Sequence, residues 1–162
     1  GQWNQWRLVD HDQEIIHKSQ EYDYISLSAA DYLHACEETL SSNIRLVRGA
    51  AEDISSRGQG GSFSALGQDY QAKYIYDSRP PSMAKEGLKQ HFFGLEIRTK
   101  NPLKEHHIAT LMDFRVDQSR GLHFIYALPF SNRQLLIEST MISQSLDDFV
   151  LKSLFLASVF QL

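Results

Sequence analysis

The chain has 162 residues, 42% of them hydrophobic, and carries a formal net charge of -4 with a pI near 6.0. This composition predicts one domain with a moderate core and excludes a wholly disordered chain. The acidic balance and the lack of any Lys/Arg cluster argue against a nucleic-acid partner, because phosphate recognition needs a concentrated positive field.

The two ends of the sequence were compared with the patterns of a secretory signal and of a membrane span. The first residues lack the pattern of a secretory signal, and the single cysteine, Cys36, cannot form an internal disulfide, so we expect a cytoplasmic protein. The chain does not begin with Met, and we expect it to be part of a longer protein. Residues 145–162 predict a helix that falls short of the roughly 20 apolar residues of a membrane span.

The first half predicts short strands around one helix. Residues 14–27 indicate one or two strands from the alternation near Tyr22 and Tyr24. Ser28 begins a capping box, and apolar residues at helical spacing predict a helix over 28–42. Residues 44–54 then predict a strand that enters a turn.

A glycine-rich segment, residues 55–62, follows that strand. A phosphate-binding loop is disfavoured, because the spacing is not G-x-G-x-x-G and a strand follows in place of a helix. The segment therefore predicts a hairpin turn, with returning strands at 63–66 and 70–77. Pro80 and Pro81 mark an internal boundary, since consecutive prolines end both helix and sheet pairing.

The second half predicts a four-strand antiparallel meander over residues 91–143. Glu96, Asp113 and Glu138 each interrupt an otherwise apolar or aromatic strand. A buried carboxyl group lowers stability unless it is paired, hydrogen-bonded or neutralised. These three acids are therefore the candidate site residues.

The three acids differ in their neighbouring residues along each strand. Arg98 and Arg115 lie two residues from Glu96 and Asp113, on the same face, and predict structural ion pairs. Glu138 has no such basic neighbour, so it is the best candidate for a carboxyl group held protonated as a general acid. A hydrogen-bonded structural glutamate is the alternative. The nearby aromatic residues predict either sheet core or a tunnel whose rings stabilise a cation.

The histidines show no ligand spacing with cysteines or carboxylates. His106 and His107 are adjacent and point apart, and the other five are scattered along the chain. We expect no metal site.

Four segments of the second half carry a resemblance to a known family. Their sequences, for residues 90–97, 111–118, 124–129 and 133–140, are QHFFGLEI, LMDFRVDQ, FIYALP and RQLLIEST. In this order and spacing they resemble motifs of the flavin-dependent lycopene cyclases. The segment around Asp77 and Arg79 is similar to the family's Asp-x-Arg turn near the flavin.

The resemblance implies an α+β fold. Residues 1–81 would form part of a hydroxylase-like, Rossmann-type FAD-binding domain, residues 82–144 the antiparallel substrate domain, and residues 145–162 a C-terminal helix. The implied reaction is acid-initiated, non-redox cyclisation of the end groups of lycopene, a linear carotene, by an enzyme that meets its substrate at a membrane surface.

The resemblance also implies roles for individual residues. Glu138 stands at the position of the family's proposed acid, and Asp113 and Glu96 match acids that support the cation or the hydrogen bonding of the site. Asp77 and Arg79 would contact reduced FAD, for which NAD(P)H is the reductant. The glycine-rich dinucleotide fingerprint of the family is not in this sequence, so we expect a fragment.

Two other functions fit the same residues. The first is a related FAD-dependent monooxygenase or oxidoreductase, which would consume NAD(P)H stoichiometrically. The second is a non-catalytic module that binds carotenoid or lipid without forming a product.

Overall fold

The computed structural model describes residues 1–58, 60–80, 82 and 86–145 of the chain. Within them the fold belongs to the α+β class, as predicted, with strands predominating over a helix. The elements are β1 Gln2–Trp3, β2 Gln5–Val9, β3 Glu14–Lys18, β4 Tyr24–Ile25, α1 Ala29–Glu38, β5 Ala51–Arg57, β6 Gly60–Ala65, β7 Gln68–Ala72, β8 Lys89–Arg98, β9 Ala109–Asp113, β10 Leu122–Pro129 and β11 Gln134–Ser143. The C-terminal helix predicted over 145–162 lies outside the described residues, apart from Ser145.

The chain divides into two compact units. Unit 1 comprises Gly1–Asp31 with Ala84–Leu162, and unit 2 comprises Tyr32–Met83. This grouping differs from the predicted segments 1–81 and 82–144, because β2 pairs in parallel with β9 and carries the N-terminal residues into the sheet of the second half. No strand was predicted from the sequence at Gln5–Val9, so this pairing was not expected.

Unit 1 is built on a six-stranded sheet with the order β3-β2-β9-β10-β11-β8. The predicted meander is confirmed for β9, β10 and β11, which pair antiparallel in sequence order. It is wrong for β8, which pairs with β11 and forms an edge of the sheet. The two ten-residue strands β8 and β11 pair along their whole length, whereas β9 has five residues and pairs with β2 on its other side.

The two faces of this sheet are distinguished by the residues that pair across β8, β11 and β10. Gly94, Glu138 and Tyr126 pair in one row and define the Glu138 face. Phe93, Ser139 and Ile125 pair in the next row and define the Ser139 face. Side chains alternate along a strand, so every second residue of β11 shares a face.

Each face has its own hydrophobic cluster. On the Glu138 face, Trp3, Ala109 and Leu128 are buried, and partly buried residues pack against them: Trp6, Tyr24, Leu111, Phe130 and Leu136. On the Ser139 face, Leu135 and Ile137 are buried under another set: Phe93, Ile97, Leu103, Ile125 and Ala127. Burial of apolar surface on both sides stabilises the central strands of the sheet.

Unit 2 contains the three-stranded antiparallel sheet β5-β6-β7. The predicted hairpin is confirmed, but its turn is shorter than residues 55–62, because Arg57 pairs with Gly60 and the hydroxyls of Ser55 and Ser62 lie 3.0 Å apart across the strands. Gly58 has a φ of 58°, a value that glycine adopts without strain. The predicted strand 70–77 ends early, at Ala72, and Tyr76 is 94% exposed.

The helix α1 begins where the sequence predicts, with the Ser28 hydroxyl accepting a hydrogen bond from the Asp31 amide at 3.4 Å. It ends at Glu38, before the predicted end at residue 42. The Thr39 hydroxyl donates to the Cys36 carbonyl at 2.9 Å, and the Leu40 amide donates to the Glu37 carbonyl, so the last carbonyls are satisfied locally. No helix within the described residues is long and apolar enough to cross a membrane.

Candidate active site

Glu138 lies in the middle of β11, on the Glu138 face, and is partly buried. Tyr126 of β10 pairs with it on one side and Gly94 of β8 on the other. The strand alternation predicted from the sequence places it between Leu136 and Thr140 along this face. The carboxyl group is therefore held in an apolar and aromatic stretch of sheet.

The hydroxyl of Thr140 donates a hydrogen bond to Oε1 of Glu138 at 2.8 Å. Thr140 is fully buried, with 0% of its surface exposed. Within the described part of the chain, this is the hydrogen bond that holds the Glu138 carboxyl. It occupies one carboxyl oxygen and leaves Oε2 for another partner.

Aromatic rings pack side by side along β10 next to Glu138. The ring centroids of Phe124 and Tyr126 are 5.4 Å apart at 68°, and those of Phe114 and Phe124 are 5.7 Å apart at 63°. Burial raises the pKa of the Tyr126 hydroxyl, and the charges of Tyr24 and Glu138 raise it further. Tyr126 therefore remains a neutral phenol beside the acid.

Glu96 shares the Glu138 face, since it pairs with Leu136, which is two residues from Glu138 on β11. It is exposed and accepts a hydrogen bond from the Gln134 side chain. The predicted ion pair with Arg98 is not among the ion pairs formed within the described residues. The structure thus brings Glu96 and Glu138 to the same face of neighbouring strands.

Asp113 lies on the other side of the sheet. It pairs with Ile125 and so belongs to the Ser139 face. Its predicted ion pair is confirmed: Arg115 donates from Nη2 to Oδ2 at 2.7 Å, and from Nε and its backbone amide to Oδ1 at 3.0 Å. The structure therefore does not bring Asp113 to Glu138.

Two opposing influences act on the pKa of Asp113. Burial, the largest single influence, acts to raise the pKa of this carboxyl group. The hydrogen bonds and charge of Arg115, together with the charge of Arg7, outweigh burial and hold the pKa below its ordinary value of 3.8. Asp113 is thus a stabilised carboxylate.

Asp77 and Arg79 lie in unit 2 and bind each other. Nη2 of Arg79 is 2.9 Å from Oδ2 of Asp77, and Nη1 donates to the carbonyl of Ala51 at 3.0 Å. The hydrogen bonds from Arg79 lower the pKa of Asp77. Both residues line a cavity of about 790 Å³, together with aromatic side chains such as Phe63 and Tyr74.

Comparison with known proteins decides the family of this chain. A family model described as "Lycopene cyclase protein" matches residues 1–153. The chain belongs to this family. It is also similar to a lycopene beta-cyclase from Paracoccus sp. (strain N81106 / MBIC 01143), with 36% identity over 114 residues.

That stretch covers 64% of this chain and 29% of the length of the Paracoccus lycopene cyclase. No solved structure matches the chain. The family membership supports a carotenoid cyclase-like function. In this chain, the segment over residues 133–140 forms most of β11 and carries Glu138.

A buried polar pair on the Ser139 face was not predicted from the sequence. His123, 1% exposed, places Nε2 2.8 Å from the Ser139 hydroxyl and Nδ1 3.2 Å from the Asp117 carbonyl oxygen. Burial lowers the pKa of His123, against the opposing influence of Asp117. The sequence signal was the alternation that places both residues on one face.

His91 is a further buried residue that the sequence analysis did not single out. It pairs with Met141 and is 8% exposed, and neither ring nitrogen has a hydrogen-bond partner. Within the described ranges, no group of three or more His, Cys, Asp or Glu residues is placed to hold a metal ion. The candidate acid site accordingly consists of Glu138, Thr140 and Glu96, with Tyr126 and Gly94 beside them.

Proposed function

We propose that this chain is the part of a lycopene cyclase that carries the proton-donating carboxyl group, and that Glu138 is the general acid. The observation that carries the proposal is the setting of Glu138. It is partly buried between aromatic and apolar side chains, and the Thr140 hydroxyl binds one of its oxygens at 2.8 Å. Family membership supports the same residue.

The proposed reaction begins with transfer of a proton from Glu138 to a terminal carbon-carbon double bond of lycopene. The resulting carbocation is attacked by a nearby double bond of the same polyene, which forms the ring bond. Loss of a ring proton to a base restores a double bond, so the product is an isomer of the substrate. The name of the Paracoccus relative favours the β-ionone ring as product.

The hydrogen bond from Thr140 determines which oxygen delivers the proton. A carboxylic acid carries its proton on one oxygen, and Oε1 is engaged as an acceptor for the Thr140 hydroxyl. We therefore propose Oε2, the other oxygen, as the one that delivers the proton to the substrate. A general acid that is held in place by a hydrogen bond raises the rate most when it is aligned with the alkene.

The surroundings of Glu138 suit a positively charged intermediate. The faces of aromatic rings attract a cation, and the partly buried ring of Tyr126 lies next to Glu138, packed against the buried Phe124. Glu96 adds a carboxyl group to the same face. We assign it the role of stabilising the developing charge, whereas Asp113 remains outside this site on the opposite face.

We propose reduced FAD, with NAD(P)H as reductant, as the cofactor of the whole protein. The described residues fit its phosphate groups poorly, because Gly60 and Gly61 of the glycine-rich segment begin the strand β6 and not a helix. Every nitrogen of the Arg79 guanidinium already donates to Asp77 or Ala51. Contacts of Asp77 and Arg79 with the flavin stay a prediction.

The proposed substrate also implies where the protein works. A linear carotene is apolar throughout and partitions into a bilayer. We propose that the protein is cytoplasmic and meets a membrane surface peripherally. Release of the protein from membranes by a high-salt or alkaline wash, without detergent, supports a peripheral attachment, and retention after both washes contradicts it.

The function is tested in bacterial cells that accumulate lycopene. The protein is expressed from its full-length coding sequence, and carotenoids are separated by chromatography. We expect cyclic products with the wild-type protein and a strongly reduced yield with Glu138→Gln, which keeps the shape of the side chain and removes the acid. Glu21→Gln is the matched control, since Glu21 is an exposed glutamate elsewhere in unit 1.

Three outcomes contradict the proposal. Cyclisation by Glu138→Gln at the wild-type rate removes Glu138 as the acid. Product formation with stoichiometric consumption of NAD(P)H indicates a monooxygenase or oxidoreductase. A wild-type protein that binds lycopene and leaves it unchanged indicates a non-catalytic carotenoid-binding module.

A further inference from the structure

In the row of residues that crosses the sheet at Glu138, an aromatic residue lies on one side of the glutamate and a glycine on the other. On the β10 side, Tyr126 lies next to Glu138 and packs against Phe124 with ring centroids 5.4 Å apart. On the β8 side, the neighbour is Gly94, which has no side chain. Among the described residues, β8 is an edge strand of the six-stranded sheet, and Gly94 is exposed there.

The backbone does not require glycine at position 94. Among the described residues, the glycines with positive φ are Gly58, Gly67, Gly87 and Gly121, so Gly94 has the ordinary backbone of a strand. A Cβ built there would lie 3.5 Å from Cβ and Cγ of Glu138 and from the carbonyl oxygen of Ile137, which is normal van der Waals contact. Neither strain nor close backbone packing therefore explains the glycine.

Glycine inside a strand weakens the strand and commonly marks a place where a ligand approaches closely. At position 94 the missing side chain leaves a notch, which we define by Phe92, Gly94 and Glu96 on the Glu138 face of β8. Phe92 is 63% exposed, and Glu96 is exposed as well. One wall of the notch is thus an aromatic ring, and the other is a carboxyl group.

We propose that Gly94 admits the substrate to Glu138: the alkene end group lies in the notch, over Gly94, and reaches the acid from the edge of the sheet. This assignment rests on the proposed cyclase function. The end group of lycopene is branched, with two methyl groups on its terminal carbon, and needs room next to the proton donor. Phe92 contacts the apolar chain, and Glu96 faces the positive charge that follows protonation.

A side-chain series at position 94 tests the assignment in the full-length protein. Gly94→Ala adds only the Cβ that the structure accommodates, and we expect the smallest loss of cyclisation rate in the series. Gly94→Val and Gly94→Leu extend over Glu138, and we expect the rate to fall progressively, by about 100-fold for leucine, since displacing a substrate by about 1 Å costs that much. A side chain in a strand is favourable, so the melting temperature should not fall.

Gln90→Leu is the matched control. Gln90 is exposed, lies on β8 and on the same face, and pairs with Ile142, away from the row of Glu138. We expect this variant to cyclise lycopene at the wild-type rate. If Gly94→Leu does so too, the assignment of Gly94 is overturned while the cyclase function stands. If the wild-type protein yields no cyclic product, the result contradicts the proposed cyclase function itself.

Alkylation of an already folded cysteine variant separates loss of activity from loss of folding. In Gly94→Cys, purified after expression from the full-length coding sequence, we expect activity before treatment and its loss after alkylation with a bulky maleimide. Mass spectrometry verifies that position 94 is modified. The same treatment of Gln90→Cys should leave activity unchanged. Retained activity in alkylated Gly94→Cys overturns the proposal.

Discussion

Glu138 and Asp113 belong to the same six-stranded sheet, and each interrupts an apolar strand, yet their surroundings are opposite. Asp113 lies on the Ser139 face, at the end of β9, and is bound by Arg115 at 2.7 Å. Glu138 lies on the Glu138 face, in the middle of β11, where Thr140 binds it at 2.8 Å. The partner of the first is a charged arginine, which makes it a structural carboxylate, whereas the partner of the second is a neutral hydroxyl.

The position of each acid in its strand explains the difference. Where β9 ends, the chain turns so that the backbone amide of Arg115 donates back to Asp113 at 3.0 Å, and the arginine side chain follows. The same Asp-x-Arg geometry occurs at Asp77 and Arg79 in unit 2, with the amide at 3.1 Å. Inside β11 the backbone stays extended, so the residue two positions on from Glu138 contacts it through its side chain alone.

The largest expected contrast concerns activity. Glu138→Gln should lower the rate of cyclisation by about 100-fold to 10,000-fold, the usual contribution of a general acid. Asp113→Asn should leave the rate per folded molecule unchanged, because Asp113 is on the other face of the sheet. Both are measured by chromatography of carotenoids, normalised to folded protein. A comparable loss in Asp113→Asn would show that the faces are not functionally separate.

A smaller effect is expected when the neutral partner of Glu138 is changed. Thr140→Val keeps the shape and removes the donor, and we expect kcat to fall by about 10-fold, the equivalent of one hydrogen bond. Thr140→Ser retains a hydroxyl and should recover most of the rate. KM for lycopene should remain the same in both variants, since Thr140 is fully buried and positions only the acid. A change confined to KM contradicts this role.

The charged pair on the Ser139 face should affect stability. Asp113→Asn should lower the free energy of unfolding by about 1 kcal/mol at neutral pH, since Arg115 is partly exposed. Glu96→Gln is the control, and its exposed side chain predicts a change below about 0.5 kcal/mol. Urea denaturation of the two variants compares them. Equal losses would show that the Asp113 pair contributes no more than a surface group.

The pH dependence of the Asp113 pair has a definite sign. Its pKa is lowered from 3.8 in the folded protein, so the unfolded chain binds the proton first as pH falls. The stabilisation is therefore present above about pH 3.8 and is lost as pH falls through the folded pKa. Asp113→Asn should lack this part of the acid-induced loss.

The smallest expected effect concerns His123, which is also on the Ser139 face. Burial lowers its pKa from 6.5, so below pH 6.5 the unfolded chain binds a proton that the folded protein does not. The free energy of unfolding should therefore decrease as pH falls from 6.5 toward the folded pKa. His123→Gln should flatten this slope in thermal melts over the same window. An unchanged slope would assign it to other groups.

Much of the local structure could be predicted because it depends on neighbours in sequence. Alternation predicted β9, β10 and β11, and the spacing of Asp113 and Arg115 predicted their ion pair. The same spacing misled for Glu96 and Arg98, because Gln134 of the paired strand β11 donates to Glu96. A partner on another strand cannot be identified from spacing along one strand.

By itself, the sequence determined the α+β class, the candidate acid Glu138 and the family, because these depend on residue types and on short-range periodicity. The tertiary structure decided that β2 joins the sheet of the second half, that β8 pairs with β11, and that Asp113 and Glu138 lie on opposite faces. It also placed Gly94 beside Glu138. Strand order and register depend on pairing between residues far apart in sequence, and that pairing determines which side chains meet at the site.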